Sequence, residues 1–253
     1  KRLFTVALLK KSYPYALLVL FMMLYTRIDA IMLERMLDDG KEQSGIYAQG
    51  FRLLDAANIF GLLIAGLLLP IFSRLLKQEE RIEPLLQNAG LLLIGISTTL
   101  SIVSSLFAVT IFELIYENNV YQSAQLFPWI IFSFIPICGA YLFGTLLTAN
   151  GSLKLLNRMA ITALIINTTL NLILIPQYKA EGAAIASLIT QIFAGFYQVF
   201  LSMKVFKLKL NFSAIGKILL QSVFIIGCYF LLENLTDNTL ISLLLLSCLG
   251  IIG

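Results

Sequence analysis

Four charged residues stand where an apolar sequence leaves little room for them. Arg27 and Asp29 lie two residues apart in LYTRIDAIML, residues 24–33, and Arg52 and Asp55 lie three apart in the next apolar stretch. A charge near a bilayer centre costs at least about 2.5–3.5 kcal/mol on insertion scales, so such groups must face a bundle interior or a watery cavity. Their chemistry is recognition rather than bond making. The planar fork of arginine grips a phosphate or carboxylate at two points. If the two stretches are consecutive antiparallel helices centred near residues 24 and 58, a rise of about 1.5 Å per residue sets the depths. Arg27 and Asp29 then lie roughly 4.5 and 7.5 Å outward of the middle, and Asp55 and Arg52 roughly 4.5 and 9 Å. Two arginines and two aspartates thus share one depth, and their charges sum to zero. Arg52 and Asp55 share a helical face with Gln49. Arg27 and Asp29, two apart, pair poorly on one helix, so each needs a partner across the helix gap. Two readings stand at this point: a neutral clamp between helices, or the lining of a polar substrate path.

The rest of the chain requires a membrane around these residues. Of 253 residues 59% are hydrophobic and 13% charged, with a mean hydropathy of +0.90. A soluble domain is about 25% charged and less than half apolar, so the surplus apolar surface must meet lipid. Long apolar runs without strand alternation favour helices over a barrel. There is no His, which removes the commonest metal ligand and general base. Cys138, Cys228 and Cys248 are far apart in apolar runs with no C-x-x-C spacing, and are read as small buried apolar residues. No catalytic residue, metal site or cofactor is expected.

Eight apolar segments follow one another, at about 13–36, 45–72, 85–112, 123–149, 157–176, 182–203, 214–233 and 239–253. The fold class expected is an all-α polytopic membrane bundle of about eight transmembrane helices. The connections are short, and none could hold an extramembrane catalytic domain. Thirteen of the 18 Lys and Arg residues fall on one side and three on the other, with Arg27 and Arg52 inside the spans. The positive-inside rule makes the thirteen-rich side cytoplasmic and puts the N-terminus of this sequence there. The net charge of +4 then reflects topology and asks for no nucleic-acid partner. The chain starts at Lys, and residues 239–253 reach only about 22 Å against a hydrocarbon core near 30 Å. It is therefore read as a piece of a longer protein.

Weaker polar marks lie at depth. Asn58, Asn88, Asn167, Asn171, Gln191 and Gln198 could join a cavity or hydrogen-bond helix to helix, the second being the commoner use. Pro128 and Pro136, followed by Gly139 and Gly144, interrupt the fourth segment, and Gly61 and Gly66 precede Pro70 in the second. Such residues permit bends and close packing.

Two stretches carry a family likeness. In residues 45–75 it rests on Gly45, Tyr47, Arg52 and Leu53, then Leu69, Pro70, Phe72 and Ser73. In residues 167–191 it rests on Asn167, Leu170, Asn171, Leu174, Ile175, Pro176 and Tyr178, then Gly182, Ala183 and Ala184. With RIDAIML ahead of them, they resemble the C-terminal half of polysaccharide flippases, of the O-antigen or teichoic type. These belong to the multidrug/oligosaccharidyl-lipid/polysaccharide exporter superfamily. Lys179 departs from the pattern, which has Gly there, so that turn should differ. The resemblance implies a two-lobed, MATE-like fold with a central cavity, of which this chain would be the C-terminal lobe. Residues 1–203 would form its six-helix lobe and residues 204–253 two further helices, the last truncated. The N-terminal lobe of the same chain would be the missing partner. It also implies a substrate, an undecaprenyl-diphosphate-linked oligosaccharide carried across the bacterial inner membrane. Arg27, Arg52, Gln49 and Asn58 are the candidate substrate-binding residues. Asp29 and Asp55 are candidates for a coupling ion, H+ or Na+.

Four other functions compete. A cation-coupled drug exporter of the same superfamily would show an acid-dominated cavity, unlike this balanced quartet. A lipid-linked peptidoglycan precursor flippase differs only in the sugar. A membrane polymerase or ligase would need a large extracytoplasmic loop, and the longest loop here is about a dozen residues. A scaffolding protein has no use for central charges.

Overall fold

A computed structural model describes residues 2–208 and 212–235, with side chains described for 12–208 and 216–231. The first segment forms α1 (Arg2–Met36) and the second α2 (Gly40–Lys77). The third gives α3 (Glu83–Leu106) and, after a break at Phe107, the short α4 (Ala108–Ile115). The fourth splits at Ser133 into α5 (Val120–Phe132) and α6 (Phe134–Ala149). Pro136, in the first turn of α6, has no N–H for the carbonyl of Phe132, which is why the helix cannot run through. The break was written in the proline; the one at Phe107 has no glycine or proline to announce it.

The fifth and sixth segments merge into α7 (Leu153–Phe206), 54 residues broken at Lys179, whose backbone lies at φ 51°, ψ −130°. Unbroken, such a helix would be about 80 Å long, far beyond a bilayer, so the break makes it two antiparallel crossings. The last described helix is α8 (Phe212–Leu235). Segment 239–253 lies outside the described residues.

By length and apolarity, α1, α2, α3, the α5–α6 pair and α7 each qualify to cross a membrane. Contacts at the two ends fit the alternation of the sequence. Asn157 Nδ2 donates to the Pro14 carbonyl at 3.0 Å at the lysine-rich end. Lys179 Nζ meets Asp39 Oδ2 at 2.7 Å at the acidic end. In the middle sits α6, packed against α2, α3 and α7, while α1 joins α2 to α7 and α8 rests mainly on α3, with Ile111 of α4 in the cluster that joins them. Three apolar clusters form the core of the described residues. One is built on α2, α4, α5 and α6 around Phe72, Phe112, Phe127 and Phe134. A second, around Leu18, Met159, Ala160 and Ala194, ties α1 to both halves of α7. The smallest joins Ile102, Val103 and Phe107 to Ile225 of α8. No described helix covers the outer flank of α2, where Ile59, Leu62, Leu63 and Leu67 are about 60% exposed.

Candidate functional site

The structure divides the four charges. Arg27 Nη2 bonds both carboxylate oxygens of Asp55, at 3.1 and 2.9 Å, across the gap between α1 and α2. Its guanidinium also lies over the Phe51 ring, 4.9 Å from the centroid. This pair is open: the side chains are 61% and 40% exposed. Arg52, one turn from Asp55, is exposed on the same helix and makes no hydrogen bond or ion pair among the described residues. An open ion pair and a free guanidinium therefore stand on a face that no described helix covers, with one positive charge in excess. Arg27 already holds an oxyanion through Nη2 alone, so a phosphate oxygen can take the place of the Asp55 carboxylate and meet the rest of the guanidinium fork.

Asp29 faces elsewhere, which corrects the expectation that the four charges gather as one neutral quartet. Two residues along a helix is about 200° of turn, so Arg27 on the open face sends Asp29 into the bundle. Its carboxylate is fully buried between α1, α2 and α7. The hydroxyl of Tyr47 donates to Oδ2 at 2.8 Å and Nδ2 of Asn171 to Oδ1 at 2.6 Å. Asn171 also donates to Asn167 Oδ1 at 3.1 Å, and Ser187 stands beside the same carboxylate. Asn167 and Asn171 are four apart on one face of the first half of α7; Ser187 comes from the second half, facing them once the chain has turned at Lys179. Neutral donors surround this acid, and among the described residues no cation pairs with it. A carboxylate so held can take a proton or a small cation, the amide oxygens of the two asparagines adding ligand oxygens.

The remaining candidates do not gather at the arginines. Gln49 is spent on α5: Ser123 Oγ donates to its Oε1 at 2.6 Å and its Nε2 donates to the Asn118 carbonyl at 3.1 Å. Asn58 is half-buried with an unpartnered, buried Oδ1. Sequence reasoning missed Tyr47 and Ser187 as members of the Asp29 cage. It treated Asn167 and Asn171 as helix glue; their N-x-x-x-N spacing was the signal available, since it puts two amides on one buried face.

At the acidic end a latch closes α7 against the α1–α2 turn. Besides the Lys179–Asp39 ion pair, the Ala180 N–H meets Gln43 Oε1 at 3.4 Å and Trp129 Nε1 donates to Glu181 Oε1 at 3.1 Å. The Lys179 ammonium beside Asp39 holds its carboxyl below the usual carboxylate range.

A cavity of about 880 Å³ lies away from Arg27, Asp29, Arg52 and Asp55, between α3, α5–α6, the second half of α7 and Ile218 of α8. Its lining is apolar apart from Gln87 and the indole N–H of Trp129, which Glu181 takes up. No charged side chain lines it.

No protein-family model matches the sequence, and no curated protein matches it either. Among solved structures, one of the lipid II flippase MurJ in an inward closed conformation superposes with a TM-score of 0.74 at 17% identity. The match covers 96% of this chain and 53% of that one. The chain thus spans about half the length of the structure it matches. At that identity the likeness speaks for the fold alone: this chain is an all-helical bundle arranged like that structure.

Proposed function

We propose that this chain is the substrate-handling lobe of a flippase that moves a lipid-linked, diphosphate-bearing saccharide across the bacterial inner membrane. One observation carries the reading: Arg52 stands unpaired beside the Arg27–Asp55 pair on a face left open by every described helix. Moving a polar headgroup across hydrocarbon requires only that its desolvation be offset, and a wet cavity lined with guanidinium groups does this for a diphosphate. Arg52 binds the diphosphate, and Arg27 exchanges Asp55 for a second oxyanion. Asp29, walled off from the substrate, holds the coupling ion. The lysine-rich end is cytoplasmic, residues 1–203 form the lobe, residues 204–253 add two helices, and a second lobe of the same chain faces α1 and α2. The cargo is a polysaccharide repeat unit on undecaprenyl diphosphate. The likeness in fold to a lipid II flippase favours a second cargo, the peptidoglycan precursor, which offers the same diphosphate.

The test is export in cells with Arg52→Ala and Arg27→Ala. Each should cut export at least tenfold while the protein stays in the membrane, and Arg52→Lys should restore part of it. Loss of surface polysaccharide assigns the first cargo. Rescue of cells depleted of MurJ by the intact protein, and its failure with Arg52→Ala, assigns the second. Undiminished export with both arginines replaced sinks the reading.

A further inference from the structure

Six buried side-chain atoms among the described residues have no hydrogen-bond partner in the protein, and five belong to α7: Asn157 Oδ1, Asn167 Nδ2, Asn171 Oδ1, Gln198 Oε1 and Ser202 Oγ. A buried polar atom left unpaired costs about 1–3 kcal/mol, so five along one helix pair are too many to be incidental. Their positions follow from the fold at Lys179. Asn171 and Ser187 each lie eight residues from it, and Asn167 and Gln191 twelve. Asn157 and Ser202 lie 22 and 23 residues from it. The antiparallel halves therefore bring these residues to matching levels, in a seam running from Asp29 to the lysine-rich end. Between the two polar groups the buried faces carry Ala163 and Ala194, 16 and 15 residues from Lys179, with Ala160 level with Gln198 at 19; all three alanines are fully buried. Opposite Gln198, α6 presents Gly144, where a Cβ would collide with Gln198 Oε1.

The other end of the seam is shut. A Cβ on Gly182 would strike the Leu174 carbonyl, and one on Gly40 would come within 2.6 Å of the Leu33 and Glu34 carbonyls. Leu33 and Ile175, both fully buried, fill what is left beneath the Lys179–Asp39 latch.

We propose that the seam between the two halves of α7 holds a file of internal waters, pinched at the alanine level, by which protons pass between Asp29 and the lysine-rich end. A buried water makes about three hydrogen bonds to groups of this kind. Neutral amides and a hydroxyl, with no fixed charge inside, suit a proton relayed through water better than an ion that must shed its shell. Half-buried Asn157 is the mouth, and the cations Lys154, Arg158 and Lys204 stand exposed around it. The use of the path rests on the reading of Asp29 as an ion site; the path itself is tested without transport.

The experiment is in situ hydroxyl-radical footprinting of the full chain in membranes, where an X-ray pulse generates radicals from water wherever water resides. Tyr25 and Met159 are 2% and 0% exposed and pack in the same cluster as the three alanines. They should be labelled within a few-fold of exposed Tyr121, and at least tenfold faster than Phe112 and Phe127, which are equally buried on the far side of α6. In the Gln198→Leu, Ser202→Ala double variant the rate at Tyr25 and Met159 should drop at least fivefold, with that at Tyr121 unchanged. Tyr25 and Met159 as inert as Phe112 in the wild-type protein would overturn the proposal, whatever any variant does. So would labelling that the double variant leaves unaltered. A protein that moves no saccharide but labels as expected would keep the water file and lose only its purpose.

Discussion

At Lys179 a non-glycine residue sits at φ 51°, ψ −130°, a conformation that costs about 1–3 kcal/mol without the freedom of glycine. Its ion pair with Asp39 is open to solvent, and exposed pairs return little. Lys179→Gly should therefore raise the thermal midpoint by a few degrees while severing the Asp39 contact. The pH dependence separates the two effects. Asp39 titrates lower in the folded protein than in the unfolded chain. Its contribution is thus complete above the ordinary carboxylate value near 3.9 and lost as pH falls through the folded one. Acid melting curves of wild type and Lys179→Gly should move apart toward low pH on that account, the wild type losing a stabilising pair that the variant lacks while keeping its backbone strain. A fixed offset at every pH would show that the ion pair contributes nothing. The buried Asp29 behaves differently: Tyr47→Phe leaves one of its oxygens without a donor and should cost about 1–3 kcal/mol, seen in thermal unfolding in detergent. The sequence singled out Asp29 and Asp55 as acids inside apolar segments. It could not tell that one would face outward and the other inward, because that depends on which side of α1 meets α7.

At the scale of helices, close approach is set by glycine at a few positions. A Cβ on Gly195 would lie 2.9 Å from the Pro136 carbonyl and one on Gly40 2.5 Å from the Glu34 carbonyl, both backbone atoms that cannot swing aside. Gly195→Ala should pry α7 from α6 and Gly40→Ala should open the α1–α2 turn, each lowering stability by about 1–3 kcal/mol. Gly66 has nothing within 4 Å of an added Cβ, and Gly66→Ala should stabilise α2 by about 0.5–1 kcal/mol through helix propensity alone. Unfolding midpoints of the three variants in one detergent check the ordering; an equal loss at Gly66 would contradict the packing. Segment lengths and order were legible in the apolar runs, and the break at Ser133 in Pro136. The kink at Phe107 was not, since it lies in a run of ordinary helix formers. The turn at Lys179 that divides α7 was legible in Pro176 and Gly182, which bracket it.

For the whole molecule the question is which flank meets water. Ala56 is exposed one residue from Asp55 on the open face, whereas Leu220 of α8 is 72% exposed among apolar neighbours. In a background with the three cysteines replaced by serine, a membrane-impermeant maleimide should label Ala56→Cys in intact membranes and leave Leu220→Cys unlabelled until detergent is added. Equal protection of both would place the arginines in lipid, which four kinds of observation—charge, exposure, pairing and fold—speak against.

Apolar run lengths and the distribution of Lys and Arg fixed the class of protein before any coordinates, because a bilayer imposes length and charge rules that a single sequence must obey by itself. They also singled out the charged residues, because ions in apolar helices are costly enough to stand out. What the tertiary structure alone decided is partnership: that Arg27 meets Asp55, that Gln49 serves α5, and that Asp29 belongs with Tyr47 and Asn171. Such pairings depend on the rotation of each helix about its axis. That rotation is set by packing between segments more than a hundred residues apart, which no local pattern encodes.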